Sequence, residues 1–74
     1  MKRIAVEFSS DEEVEMFVNR VMNDEEYRMV IDLFPTDKKV CCVAKKKEYN
    51  EDLMPSISMC LSELGLEEVN LYEY

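Results

Sequence analysis

The chain has 74 residues, of which 47% are apolar, and its 17 carboxylates outnumber its 9 Lys and Arg to give a net charge of −8. This length predicts a single domain over residues 1–74, with little room for a deep pocket. No apolar run approaches the ~20 residues of a membrane span, and no apolar signal-peptide core follows the N-terminus, so we expect a cytoplasmic protein. The acidic surface disfavours direct contact with nucleic acid or with anionic membranes.

The first two predicted elements are a strand and a helix. Residues 2–8 carry apolar side chains at every second position, which is typical of a strand with one buried face. Ser10 and Glu13 then form a capping box at the start of a helix that ends near Asn23. The apolar stripe of this helix has a spacing of three and four residues and consists of Val14, Phe17, Val18, Val21 and Met22.

The middle of the chain predicts a β-hairpin. Residues 27–33 place apolar side chains at alternate positions and form the second strand. Residues 35–37, Pro-Thr-Asp, have turn chemistry, because proline presets φ and aspartate bonds its own backbone. Residues 39–46 form the third strand, whose small apolar side chains on both faces favour a position in the middle of a sheet.

A second helix and a last strand complete the predicted elements. Asp52 is the predicted N-cap, because Pro55 then falls in the first turn, where its missing N–H costs nothing. Gly65 is suited to end this helix with a positive φ. Residues 68–74 form the last strand. Its predicted inward side chains are Val69 and Leu71.

The predicted order is therefore β-α-β-β-α-β, an α+β arrangement. Two right-handed crossovers around a central hairpin give the ferredoxin-like fold, a four-stranded antiparallel sheet of order 4-1-3-2 with both helices on one face. The other face of the sheet is left open.

The composition excludes most catalytic chemistry. Histidine is absent, which removes the commonest general base and the usual zinc ligand. Cys41, Cys42 and Cys60 lack the spacing of a metal or redox site, and we expect reduced thiols. One glycine is too few for a phosphate-binding loop. We therefore predict no enzyme and no catalytic, cofactor or metal site.

The charges are segregated along the chain. Residues 11–26 hold seven carboxylates and one Arg, residues 38–47 hold five Lys and no acid, and residues 48–74 hold seven carboxylates and no base. One interpretation is that the lysines flank an apolar strand and prevent its aggregation, while the acids maintain solubility. The other is a carboxylate surface that binds a protein groove built for phosphates. The predicted partner-binding carboxylates are Asp11, Glu12, Glu15, Asp24, Glu25 and Glu26.

In size and charge, though not in any motif, the chain is similar to small phage-borne inhibitors of nucleases and CRISPR effectors. Proteins of that class are short, acidic and single-domain, and they have no catalytic site. The leading hypothesis is therefore a non-enzymatic binding protein that occupies the basic, nucleic-acid-binding surface of a partner protein, as a phage-encoded anti-CRISPR does.

The alternative hypothesis is a ferredoxin-like ligand-sensing or regulatory domain that acts as a dimer. Tyr72, Tyr74 and Phe34 are candidate anchors for a partner or for a second copy, so the chain is expected to be a monomer or a homodimer. The two central strands lack the aromatic platform of an RNA-recognition module, which argues against RNA binding.

Overall fold

Four strands form one antiparallel sheet in the computed structural model, which describes residues 1–74. They are β1 (Arg3–Glu7), β2 (Ile31–Thr36), β3 (Lys39–Ala44) and β4 (Asn70–Glu73). Their order across the sheet is β2-β3-β1-β4, which is the predicted order read from the opposite edge. The ferredoxin-like α+β fold is thereby confirmed.

Three helices pack on this sheet: α1 (Asp11–Met22), α2 (Glu25–Val30) and α3 (Asn50–Leu64), the last preceded by a 3-10 turn (Lys47–Tyr49). The predicted β-α-β-β-α-β order is confirmed for the four strands and for α1 and α3. The short helix α2 is an addition between α1 and β2. None of the helices combines the length and the apolar content that crossing a bilayer requires.

The core lies between the helices and one face of the sheet. The register pairs Ile4 with Cys42 and Val6 with Val40, and all four residues are fully buried. Phe17 of α1 packs among them. No charged or polar residue is buried, so the core is held by apolar packing alone.

Both ends of α1 and the end of α3 follow the sequence signals. Ser10 Oγ accepts a hydrogen bond from the Glu13 N–H at 3.3 Å, and the Glu13 carboxylate accepts one from the Ser9 N–H at 3.0 Å. The serine half of the predicted capping box is thus confirmed, as is the helix end at Asn23, whereas Glu13 reaches back to the residue before the N-cap and not to the N-cap itself. Gly65 follows α3 with a φ of 71°, the left-handed conformation expected of a C-terminal glycine.

The predicted second strand began too early. Residues 27–30 are helical, and β2 starts only at Ile31. Asp24 accepts hydrogen bonds from the N–H groups of Glu26 and Tyr27 and so starts a helix where the sequence pattern indicated a loop. Tyr27 and Ile31 are buried four residues apart, a helical spacing, whereas Met29 is 54% exposed.

The hairpin turn and the start of α3 also differ from prediction. Pro35 and Thr36 belong to β2, and the turn lies at residues 37–38, where Lys38 adopts a φ of 57°. The predicted N-cap Asp52 is instead in the first turn of α3, because the helix begins directly after the 3-10 turn. Pro55 therefore lies in the second turn, on an exposed side of the helix.

Two smaller predictions have opposite outcomes. The helical spacing of the apolar residues predicts that Met22 belongs to the buried stripe of α1. This prediction is wrong, because the Met22 side chain is 49% exposed at the end of the helix. Val69 and Leu71 do pack against the core from the β4 side, which confirms the predicted orientation of the last strand.

Replacing Phe17 by Ala is expected to leave a cavity in the middle of the core, because the ring is fully buried. The free energy of unfolding should fall by about 3–5 kcal/mol, measured by urea denaturation. The neighbouring Met16→Ala change, at a side chain that is 42% exposed, is the control and should stay within about 0.5 kcal/mol of the wild type. Equal effects of the two changes would contradict this placement of the core.

The three thiols should differ in reactivity. Cys42 and Cys60 are fully buried, and burial raises the pKa of Cys42 to about 12 and that of Cys60 to about 11, whereas Cys41 lies on the other face of β3 and is partly exposed. At about pH 8, a disulfide reagent should modify one thiol per folded chain and the other two only after denaturation. The fast reaction should be absent from the Cys41→Ser variant; fast modification of a second thiol would contradict the packing.

Candidate functional site

The fold converts the charge blocks of the sequence into a charge difference between two layers. The helical segments, residues 11–30 and 47–68, carry 13 carboxylates and 3 Lys and Arg, a net charge of −10. The strands and their adjoining turns carry 4 carboxylates and 6 Lys and Arg, a net of +2. We call residues 11–30 and 47–68 the acidic helical layer.

The predicted partner-binding carboxylates form two groups in this layer. Asp11, Glu12 and Glu15 are exposed near the start of α1. Glu25 and Glu26 are exposed in the first turn of α2. Because a helix rises about 1.5 Å per residue, the part of α1 between Glu15 and its end at Met22 already separates the groups by about 10 Å. The structure therefore does not bring the six residues into one patch.

Asp24, the sixth predicted residue, is engaged within the protein. Besides capping α2, its carboxylate accepts a hydrogen bond from Arg20 at 3.0 Å. This hydrogen bond lowers the pKa of Asp24, and the two backbone N–H groups of the cap act in the same direction. Asp24 joins α1 to α2 and offers less to a partner than its five companions do.

Arg20 holds a second carboxylate, from α3. Its guanidinium donates to Glu63 at 3.1 Å and lies over the Tyr27 ring, 5.1 Å from the centroid. The Tyr27 hydroxyl donates to Glu63 at 2.5 Å, and burial together with this bond raises the pKa of Tyr27. Arg20 thus links all three helices of a layer that has only two other cations, Arg28 and Lys47.

Packing brings acids from α3 and from the segment after it close to other acids of α1 and α2. Glu13, Glu67 and Glu68 line one depression of about 330 Å³ beside the start of α1. Glu26 and Asp52 line another, between α2 and α3. These α3-side residues were not among the predicted site residues, because tertiary contacts bring them there. The one-sided acid content of residues 48–74 was their only signal in the sequence.

Few of these carboxylates are neutralised. Four of the 17 have a Lys or Arg nitrogen within 4.0 Å, namely Asp24, Asp32, Glu63 and Glu73. Of the predicted set, only Asp24 is among them. Most of the lysines lie at or just beyond the two ends of β3, although Lys47 begins the second segment of the layer and Lys45 lines a depression with Glu25 and Arg28. The layer therefore has a large excess of negative charge.

The side of the sheet that faces away from the helices, the open face, carries the predicted aromatic anchors. It consists of Arg3, Ala5, Glu7, Asp32, Phe34, Thr36, Lys39, Cys41, Val43, Asn70, Tyr72 and Tyr74. Phe34, Tyr72 and Tyr74 are 56%, 37% and 47% exposed. All three come from the edges of the sheet, which agrees with the missing aromatic platform on the central strands.

The tyrosines also make contacts within their own sheet. The Tyr72 hydroxyl donates to Glu7 at 3.1 Å, and Asn70 donates to the same carboxylate at 2.9 Å. These two bonds lower the pKa of Glu7. Tyr74 lies under the Arg3 guanidinium, and its side-chain hydrogen bond with Cys41 raises its pKa to about 12. The rings are therefore held in place.

A scan against protein-family models and searches of curated proteins and of solved structures find no match to this chain. The structure contains no group of three or more His, Cys, Asp or Glu side chains placed to hold a metal ion. The functional proposal therefore depends on the geometry of the acidic helical layer and of the open face.

The Asp24–Arg20 contact predicts a pH-dependent stability. Since Arg20 lowers the pKa of folded Asp24, the charged form contributes stability above the unfolded pKa of about 3.9, and the contribution disappears as the pH falls through the lowered folded pKa. The Asp24→Asn variant keeps a capping oxygen but not the charge. Its melting temperature should lie below that of the wild type at about pH 7 and match it at about pH 2.

The Asp37→Asn variant is the matched control, because Asp37 is exposed in the hairpin turn and makes no ion pair. It should melt like the wild type at both pH values. A deficit of Asp24→Asn that is the same at both would show that the charge plays no part.

Proposed function

We propose that this protein is a non-enzymatic binding protein whose acidic helical layer occupies a basic surface of a partner protein. The observation that carries the proposal is the net charge of −10 on residues 11–30 and 47–68, with ion pairs to only two of the 13 carboxylates there. A carboxylate that is already paired gains little from a new cation. The other eleven carboxylates of the layer have no ion pair and therefore favour the binding of a cationic partner.

Rigidity adds to this argument. The exposed acids of α1 and α2 lie in helices fixed by the N-cap at Ser10 and by the Arg20 contacts. Their backbone is ordered before any partner arrives, so binding costs less conformational entropy than it would for a flexible acidic tail. Complementary charge accelerates encounter and selects among partners.

A groove that binds nucleic acid is the basic surface we favour for the partner. Such a groove is lined with Lys and Arg to neutralise phosphates, and carboxylates on a fixed scaffold present the same sign of charge to it. In this proposal the protein competes with nucleic acid for the groove and thereby inhibits the partner. A phage-encoded inhibitor of a nuclease or of a CRISPR effector is the specific case that we favour.

Two triple variants of equal net charge test the role of the helical layer. The first, Glu12→Gln with Glu15→Gln and Glu25→Gln, removes exposed acids of that layer. The second, Asp32→Asn with Asp37→Asn and Glu73→Gln, removes three acids from the sheet side, and both variants have a net charge of −5. Each tagged protein is immobilised, incubated with extract of the source cell and eluted in salt steps, with or without excess double-stranded DNA.

The wild type and the sheet-side variant should retain the same basic protein, and DNA should displace it. The helical-layer variant should retain at least tenfold less. With the purified partner, its affinity should also depend less steeply on salt, because fewer ion contacts form. Equal retention by the two variants, or retention that DNA does not reduce, would refute the proposal.

A further inference from the structure

The strand residues of the open face carry no net charge, unlike the acidic helical layer, and Lys45 just beyond β3 pairs with one of their acids at 3.9 Å. These strand residues include two cations, Arg3 and Lys39, and two anions, Glu7 and Asp32. The middle row of the face, formed by paired residues of all four strands, is Phe34, Cys41, Ala5 and Tyr72. A neutral face with exposed aromatic rings contrasts with the strongly anionic layer behind it.

We infer that this face is occupied by a second copy of the same chain, in a homodimer with the two sheets face to face. The charge distribution selects this partner. Two helical layers, each with a net charge of −10, repel each other, and a face-to-face dimer places them on opposite outer sides. The inference is independent of the proposed function, and a dimer is also the assembly that the ligand-sensing alternative requires.

The charges of the open face are complementary to themselves under a two-fold rotation. In a face-to-face dimer the two-fold axis lies between the sheets, along or across the strands. An axis along the strands places β1 over β3 of the second copy, so Glu7 lies opposite Lys39. An axis across the strands, through the middle row, exchanges the outer rows, so Glu7 lies opposite Arg3. Either rotation therefore gives two symmetry-related contacts between Glu7 of one copy and a cation of the other.

The same rotations bring aromatic rings together. An axis along the strands places Phe34 over Tyr72 of the second copy, because these residues end the middle row. An axis across the strands places each ring over its own equivalent. Offset or edge-to-face contacts of such rings contribute beyond their buried area. Cys41 and Ala5 between them are small, and Ala5 is only 2% exposed, so the rings at the two ends of the row make most of the contact.

The size of the face sets the strength of the dimer. Four strands about 4.8 Å apart and about five residues long span roughly 19 by 17 Å, which is smaller than a typical stable interface. We therefore expect a weak, reversible dimer that is populated only at high protein concentration.

Sedimentation velocity from about 10 µM to about 1 mM tests the inference. The weight-average mass of the wild type should rise towards twice the monomer mass and stop there. The Phe34→Asp variant should remain monomeric, because it places a charge in the middle row, and its native circular dichroism should persist because Phe34 is 56% exposed. The control Glu15→Lys, in the helical layer, should dimerise at least as well as the wild type.

A charge-exchange experiment identifies the contact. The Glu7→Lys variant should not self-associate, and neither should the acidic variant of the cation opposite Glu7, which is Lys39→Glu for an axis along the strands and Arg3→Glu for an axis across them. Mixing Glu7→Lys with the acidic variant of the residue opposite Glu7 should restore a heterodimer. Rescue by Lys39→Glu indicates an axis along the strands, and rescue by Arg3→Glu indicates an axis across them. Rescue by neither mixture would overturn the inference.

Two further results would overturn it. One is a wild type that stays monomeric to about 1 mM. The other is a mass that grows well beyond a dimer, which would indicate that the acidic layer of one copy binds the sheet of the next in an open chain.

Discussion

The alternation of side chains along β1 and β3 is the constraint on which the remainder of the structure depends. Successive side chains of a strand point to opposite faces, so Ile4, Val6, Val40 and Cys42 are committed to the core. The helices must cover that face, because the buried cluster has no polar member to stabilise it otherwise. The charges of the helices are then directed outward, and the opposite sheet face carries a mixture of small, charged and aromatic side chains.

The fold is predictable from this sequence because its signals are local and mutually consistent. The capping signal at Ser10 and the apolar stripe after it specify α1, the glycine at 65 specifies the end of α3, and the order of elements leaves few topologies. The failures occur where two periods fit one segment. Residues 27–33 alternate, but Tyr27 and Ile31 also fit a helical spacing, and the Asp24 cap and the Glu63 contact decide in favour of a helix for the first part.

The candidate site is only partly predictable for a related reason. The sequence reveals which segments are acidic, but not which acids become neighbours. Asp24 resembles Glu25 and Glu26 in sequence, yet it is bound to Arg20 from one side and to two backbone N–H groups from the other. Conversely, Asp52 reaches the α2 group only because α3 packs beside α2. Contacts between residues distant in sequence determine which acids are bound within the protein and which remain available to a partner.

Pro35 has a consequence for behaviour at high concentration. It lies in β2, at one border of the sheet, and proline has no N–H to give to a neighbouring strand. Fibrillar stacking, in which chains join border to border through their backbones, is therefore impeded at β2. The other border is β4, a strand of only four residues. Both edge strands of the sheet are therefore protected against ordered aggregation, although aromatic rings are exposed on the open face.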